Sequence, residues 1–247
     1  MTLHKRILTA KGQLTVGETP EGYDALVLAD IARAATMPVL HIARDDARLS
    51  ALAEALAFFA PDIEIVRFPA WDCLPYDRVS PQSEVIAQRM ATLARLVRVE
   101  AGSKPLIVLS TVNAALQRVP PKQLLEEGAW AAAAGERINL DGLIQYLTLN
   151  GYNRTGTVRE PGEYAVRGGI VDLYPPDGDT PLRLDMFGDT LEAIRTFDAE
   201  DQLTTGKRER MDLVPVSEIH LDADAIRRFR AGYVAAFGAV SDADPLY

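Results

Sequence analysis

The chain has 247 residues, of which 48% are hydrophobic and 25% charged, with a formal net charge of −9. Those values fit a folded globular chain of two domains, or of one domain carrying a large insertion, and exclude a disordered or fibrous class. The acid excess argues against a broad electrostatic grip on nucleic-acid backbones, and no apolar run reaches membrane-spanning length. The N-terminal segment MTLHKRILTAKGQL lacks the long apolar core of a signal peptide, so a cytoplasmic location is expected. Residues 17–25 read GETPEGYDA. Gly17 and Gly22 have the spacing of a phosphate-binding loop, G-x-x-x-x-G-K-[ST], but Tyr23 and Asp24 stand in the places of the Lys and the Ser/Thr. A carboxylate at that point repels a triphosphate and no lysine offsets it, so the loop reads as a degenerate nucleotide site. The plainer alternative is a polar turn with Asp24 as the N-cap of the next helix.

From Asp24 to about Leu116 apolar strands alternate with amphipathic helices. DALVLADIARAA is a helix and PVLHIA a buried parallel strand. Asp45 and Asp46 offer caps for ARLSALAEALAFFA, whose leucines 49, 52 and 56 share one face, and IEIVRF is the next strand. Ser83 caps EVIAQRMATLARLVRV, and PLIVLST is a third strand before the short helix VNAALQRV. Strands separated by helices imply a parallel sheet. After about Gly128 the pattern changes. Asn139 caps LDGLIQYLTL, which stops at Asn150 and Gly151, and short strands joined by Pro, Gly and Asp turns follow, implying an antiparallel sheet with one helix. The expected domains are 1–128, 129–213 and a return segment, 214–247, that resumes helical period at AIRRFRAGYVAAFG; a chain ending at SDADPLY without a closing element reads as cut.

Few residues suggest catalysis. His4, His41 and His220 show no metal-binding spacing, no G-x-S-x-G elbow is present, and the single Cys73 excludes a disulfide or a Cys-rich metal site, reading instead as a buried small hydrophobe. No cofactor is expected.

The segment FPAWDCLPYDRVSPQSEVIAQRM is dense in Trp, Tyr and Pro between a strand and a helix. Four blocks carry a resemblance: W-D-x-L-P-Y-D at Trp71 to Asp77, S-P at Ser80 and Pro81, G-E-Y-A-x-R-G at Gly162 to Gly168, and R-L-D-x-F at Arg183 to Phe187. In that order they resemble the N-terminal part of bacterial transcription-repair coupling factors and, more distantly, the excision-repair protein UvrB. The resemblance implies an α/β fold: a degenerate helicase-type, P-loop-like parallel-sheet domain interrupted by a small α+β domain with an antiparallel sheet that binds the repair protein UvrA. UvrB carries a long aromatic hairpin after its tyrosine-rich loop. Here Pro81 leads directly into Ser83 and the helix, leaving no room for it, so the Trp71 to Tyr76 loop is expected to be structural. The family's motor, its RNA polymerase contact and its DNA translocation lie in later domains, and the rest of the full-length chain hides the UvrA surface at rest.

Alternation along PLRLDMF puts Leu182, Leu184 and Met186 on one face and Arg183, Asp185 and Phe187 on the other. Phe187 is then exposed, either as an ordinary surface aromatic or as part of an interface. Arg167 precedes a Gly pair read as a bulge, and a surface salt bridge to Asp172 or Asp185 is its bland role. Carried over from the family, Arg167, Arg183 and Phe187 lie on the UvrA-binding surface. Residues 151–213 hold 8 Lys and Arg against 13 Asp and Glu, a net of −5, which fits a protein partner rather than a nucleic acid. The expectation is a non-catalytic module that recruits UvrA, the full-length protein being an ATP-dependent translocase; the alternative is the nucleotide-binding half of a helicase or ATPase.

Overall fold

The computed structural model describes residues 2–74, 79–100, 102–219 and 223–238, so Tyr76, Asp77 and His220 fall outside the described residues. The chain forms two compact units, Met1–Ala129 with Pro176–Asp179, and Trp130–Pro175 with Thr180–Tyr247.

In the first unit, α1 (Leu3–Thr9) and α2 (Tyr23–Ala34) precede β1 (Val39–Ala43), followed by α3 (Asp46–Phe59), β2 (Glu64–Phe68), α4 (Ser83–Val97) and β3 (Leu106–Thr111). Two short helices, α5 (Val112–Ala115) and α6 (Lys122–Glu127), close the unit. The strands form the expected parallel sheet in the order β1-β3-β2. All six residues of β3 are buried, as befits a central strand covered on both faces. Ile107 and Leu109 meet the small residues Ala25, Ala29 and Ala32 of α2 and the stripe Leu49, Leu52 and Leu56 of α3. Val108, on the alternate side, joins Phe68 and Ala114, with Leu93 and Leu96 of α4 packed against them. By contrast β1 is an edge strand rather than a buried one, with Leu40 and Ile42 exposed. Asp45 caps α3 by accepting from the Arg48 backbone N–H at 2.8 Å. Ser83 is the first residue of α4 rather than its cap, and Cys73 is half-buried rather than buried.

At the start of the Trp71 to Tyr76 loop, whose residues 75 and 76 fall outside the described residues, Trp71 is held in place by neighbours. Its backbone N–H donates to Gln117 Oε1 at 2.9 Å, the same oxygen that accepts from Arg89 Nη1 at 3.1 Å. The fully buried Arg89 guanidinium lies 4.3 Å from the Phe68 ring centroid and 5.1 Å from that of Trp71, and it donates to the Pro69 carbonyl at 2.8 Å. Such hydrogen bonds and aromatic faces offset the cost of burying a charge this deep.

The second unit contains β4 (Trp130–Ala133), α7 (Leu140–Leu149), β5 (Asn153–Arg154), β6 (Glu163–Arg167), β7 (Ile170–Leu173), β8 (Leu182–Phe187), β9 (Thr190–Phe197), β10 (Thr204–Arg208), β11 (Arg210–Leu213) and α8 (Ala223–Phe237). Its main sheet runs β10-β9-β8-β7-β6-β5, antiparallel except for the short parallel pair β5–β6, while β4 and β11 pair separately. Asn139 caps α7 through the Gly142 N–H at 3.1 Å, and the helix stops at Gly151 with φ 83°. Tyr164 on β6 touches α7 through its hydroxyl, 3.1 Å from Thr148 Oγ1. A Cβ at Gly151 would come within 2.5 Å of Ser217 Cβ, so that stop needs glycine for its conformation and also for its space. Gly151→Ala is expected to lower unfolding free energy by about 2 kcal/mol. Gly156→Ala, where a Cβ meets nothing within 4 Å, should stay within about 0.5 kcal/mol; urea titrations followed by circular dichroism compare the two.

Candidate protein-binding face

Register determines which side chains share a face of the main sheet, because residues directly opposite in an antiparallel pair point the same way. One cross-strand row runs Val166, Val171, Leu184 and Ile194. Val171, Leu184 and Ile194 are fully buried, so this is the core face. The other face carries the row Arg167, Ile170 and Asp185 and the row Ala165, Asp172, Arg183 and Arg195. Phe187 lies two residues beyond Asp185, with Met186 opposite the buried Leu191, so Phe187 stays on the face of Arg167 and Arg183.

The three residues sit in different settings. Phe187 is 75% exposed at the end of β8. Its neighbour across the β7–β8 pair is the turn Gly168–Gly169, which joins β6 to β7 with Arg167 opposite Ile170. The glycine pair is therefore a two-residue hairpin turn and not the bulge read from sequence. Gly168 has φ 61°, and a Cβ at Gly169 would approach the Met186 carbonyl oxygen to 2.7 Å, so neither position accepts an ordinary side chain without strain. Arg167 pairs with neither Asp172 nor Asp185. Its Nη2 donates to the Gly156 carbonyl and to Thr157 Oγ1 at 3.2 Å, which ties the exposed arginine to the 155–157 loop.

Arg183 is not a free surface cation. Its Nε and Nη2 donate to Asp172 Oδ1 and Oδ2 at 2.7 and 3.0 Å, and Nη1 donates to the Gln202 carbonyl at 3.2 Å. The side chains of Arg183 and Asp172 are 18% and 3% exposed. The guanidinium lies 4.6 Å from the centroid of the buried Phe197 ring, which packs with Val158 and Ala165. Hydrogen bonding to Asp172 raises the Arg183 pKa above its ordinary value against the opposing effect of burial, so the group is charged at any working pH. Gln202, in a left-handed conformation at φ 65°, donates from Nε2 to the Val158 and Ala199 carbonyls and closes the loop over this pair. Of the three residues carried over to one surface, Arg183 is therefore mostly buried, while Arg167 and Phe187 are exposed. Sequence reading also missed Ile170 and Arg195, which binds Asp185 at 2.6 Å. The signal for Ile170 was present, since R-G-G-I is the pattern of a two-residue hairpin whose flanking residues face each other.

The degenerate nucleotide residues lie in the first unit. Residues 10–22 form neither helix nor strand, so no strand leads into the loop as one would in a phosphate-binding loop. Gly22, with φ 82°, is the residue that caps α2, and Asp24 lies inside the first turn rather than at the cap. The Asp24 carboxylate is held by Arg48 Nη2 at 3.0 Å, and Glu21 meets Arg48 Nη1 at 3.2 Å. Gly17 is exposed, and a Cβ there would meet nothing within 4 Å. Tyr23, 37% exposed, opens α2. Arg48 is thus engaged by carboxylates of the loop and of the helix start. Among the described residues no cluster of His, Cys, Asp or Glu could hold a metal ion, and no helix is long and apolar enough to cross a membrane.

A chain of mixed α/β architecture with one parallel and one antiparallel sheet, whose second unit presents an aromatic and arginines on an otherwise paired sheet face, has the features of a protein-recognition module. Comparison with known proteins assigns its class: residues 131–219 match the family described as the UvrB interaction domain. The chain is 33% identical over 235 residues to the transcription-repair-coupling factor of Escherichia coli, covering 95% of this chain and 20% of that protein. It is 36% identical over 204 residues to the transcription-repair-coupling factor of Myxococcus xanthus, covering 79% of this chain and 16% of that protein. Over most of its length the chain is thus homologous to transcription-repair-coupling factors, and it spans about a fifth of the length of the relatives it matches.

Removing one partner of the Arg183–Asp172 pair strands a charge in a poorly solvated place. Asp172→Ala and Arg183→Ala are each expected to cost about 2–4 kcal/mol of stability, with Phe187→Ala within about 0.5 kcal/mol, as read by urea unfolding.

Proposed function

We propose that this chain is the non-catalytic, UvrA-recruiting part of a transcription-repair coupling factor. In this reading it brings the excision-repair machinery to RNA polymerase stalled at DNA lesions in the cytoplasm. The contacts to polymerase and DNA, and ATP-driven translocation, belong to the parts of such a protein beyond this chain, and those parts also cover the UvrA surface at rest. The observation that carries the proposal is the exposed Phe187 on the same sheet face as Arg167, two strands away, in the segment that matches the UvrB interaction domain. An aromatic anchor with a neighbouring arginine is the composition of an interface hot spot. We read the first unit as a degenerate helicase-type domain. Support comes from its parallel sheet with helices on both faces and its G-x-x-x-x-G spacing, without the lysine or hydroxyl that hold nucleotide and metal. The working division remains 1–128, 129–213 and 214–247, and the boundary between the compact units at Ala129 and Trp130 supports its first cut.

Titrating UvrA against this chain tests the proposal. Phe187→Ala and Arg167→Ala should each weaken binding by about 1–4 kcal/mol, and Arg167→Glu by more, through repulsion from a carboxylate on the partner. Arg183→Ala should also weaken binding, with its folding loss subtracted by a parallel melt. Variants that melt like the parent and bind like it would remove this face from the interface. Calorimetry with Mg-ATP tests the alternative of a nucleotide-binding helicase half. No heat beyond that of an unrelated protein is expected, whereas micromolar affinity lost on changing Gly22 would support that alternative.

A further inference from the structure

The face of Arg167 and Phe187 carries a second large apolar side chain that the carried-over triad does not include. Ile170, 39% exposed, opens β7, with Arg167 directly opposite on β6 and Asp185 directly opposite on β8. Phe187 is two residues past Asp185, so Ile170 and Phe187 are diagonal neighbours across the β7–β8 pair, within joint reach of one incoming side chain. Three arrangements keep the space between them open. The turn Gly168–Gly169 beside Phe187 has no side chains, and at Gly168 even a Cβ would meet nothing within 4 Å. The Arg167 guanidinium is drawn toward Gly156 and Thr157. Asp185, directly opposite Ile170 and two residues before Phe187, forms an ion pair with Arg195 at 2.6 Å, so the charge next to the two apolar residues is a paired one.

We propose that Ile170 and Phe187 form one apolar clasp that takes a single aliphatic or aromatic side chain of UvrA, with Arg167 at its rim pairing a carboxylate of the same partner. This rests on the reading of the face as the UvrA site. Charge and shape agree: both walls are apolar and the rim is cationic, the pattern of a desolvated hot spot surrounded by a polar edge.

The experiment titrates UvrA against the parent chain and against Ile170→Ala, Ile170→Val, Ile170→Thr, Phe187→Ala and the double variant Ile170→Ala/Phe187→Ala. Each is melted in parallel, with Leu149→Ala, 44% exposed at the end of α7 on the opposite side of the sheet, as a control. Ile170→Ala should weaken binding about tenfold, Ile170→Val less than threefold, and Leu149→Ala not measurably. If Ile170→Ala melts early, Ile170→Thr, which keeps the β-branched preference for a strand, takes its place with the same expected loss. Because both walls hold the same side chain, the double variant should lose less than the product of the two single losses. Binding by the Ile170 variants within twofold of the parent, while Phe187→Ala is weakened, overturns the clasp and leaves the face reading standing. A double loss equal to the product of the singles also overturns it, since the two residues then act separately. If neither Ile170 nor Phe187 variants weaken binding, the face reading fails and the clasp with it.

Discussion

The bidentate pair between Arg183 and Asp172 organises the candidate face. It ties β8 to β7, and because the guanidinium also lies over Phe197 and donates to the Gln202 carbonyl, it anchors the 198–203 loop to the sheet beneath. An ion pair this sheltered is not a source of large net stability, since desolvation offsets most of its attraction. Its physical effect is geometric. A planar fork with all three of its nitrogens engaged holds one orientation, so the face beside it is fixed before any partner arrives. The arginine therefore has a place in the architecture whether or not a partner touches it, and loss of binding on its removal has to be separated from loss of the face.

The first unit shows the opposite use of an arginine. Arg48 gathers Asp24 and Glu21 at the start of α2, where a working phosphate loop would hold cationic and hydroxyl groups toward an anion. The sheet and its two helical layers persist around that point because β3 and the small residues of α2 pack independently of any ligand. The core and the loop before α2 thus rest on different residues. Arg89 gives a parallel case, its charge absorbed by Phe68, Trp71, Pro69 and Gln117 as a structural strut.

Much of this was readable in the sequence where periodicity or caps were strong. The stripe Leu49, Leu52 and Leu56, the caps Asp45 and Asn139 and the buried run of β3 are strong local signals and match the structure. The pair β4 and β11 was not readable: alanines at 131–133 carry little strand preference, and only the long-range partner makes them one. Edge exposure of β1 escaped for the same reason, since an apolar run does not say which strands flank it. In the candidate face, alternation placed Arg183 and Phe187 on one side correctly, but not the depth of Arg183. That depth comes from loops 155–160 and 198–203 folding over the sheet end, a tertiary effect invisible in a seven-residue pattern. The Gly168–Gly169 turn was misread as a bulge because its hairpin meaning depends on the residues on both sides of it.

The pairing of charges on this face also bears on the kinetics of encounter. Arg183 and Arg195 are each paired with an aspartate on the same sheet, so the positive field of the face comes from Arg167, bonded to the neutral Gly156 carbonyl and Thr157 hydroxyl, within a chain that is acidic as a whole. For the partner site proposed above, long-range steering, which lifts association rates by orders of magnitude at low salt, then rests on one side chain. Discrimination falls instead to how long a correctly seated partner stays. In the proposed site, selectivity therefore belongs to the range at which side chains touch.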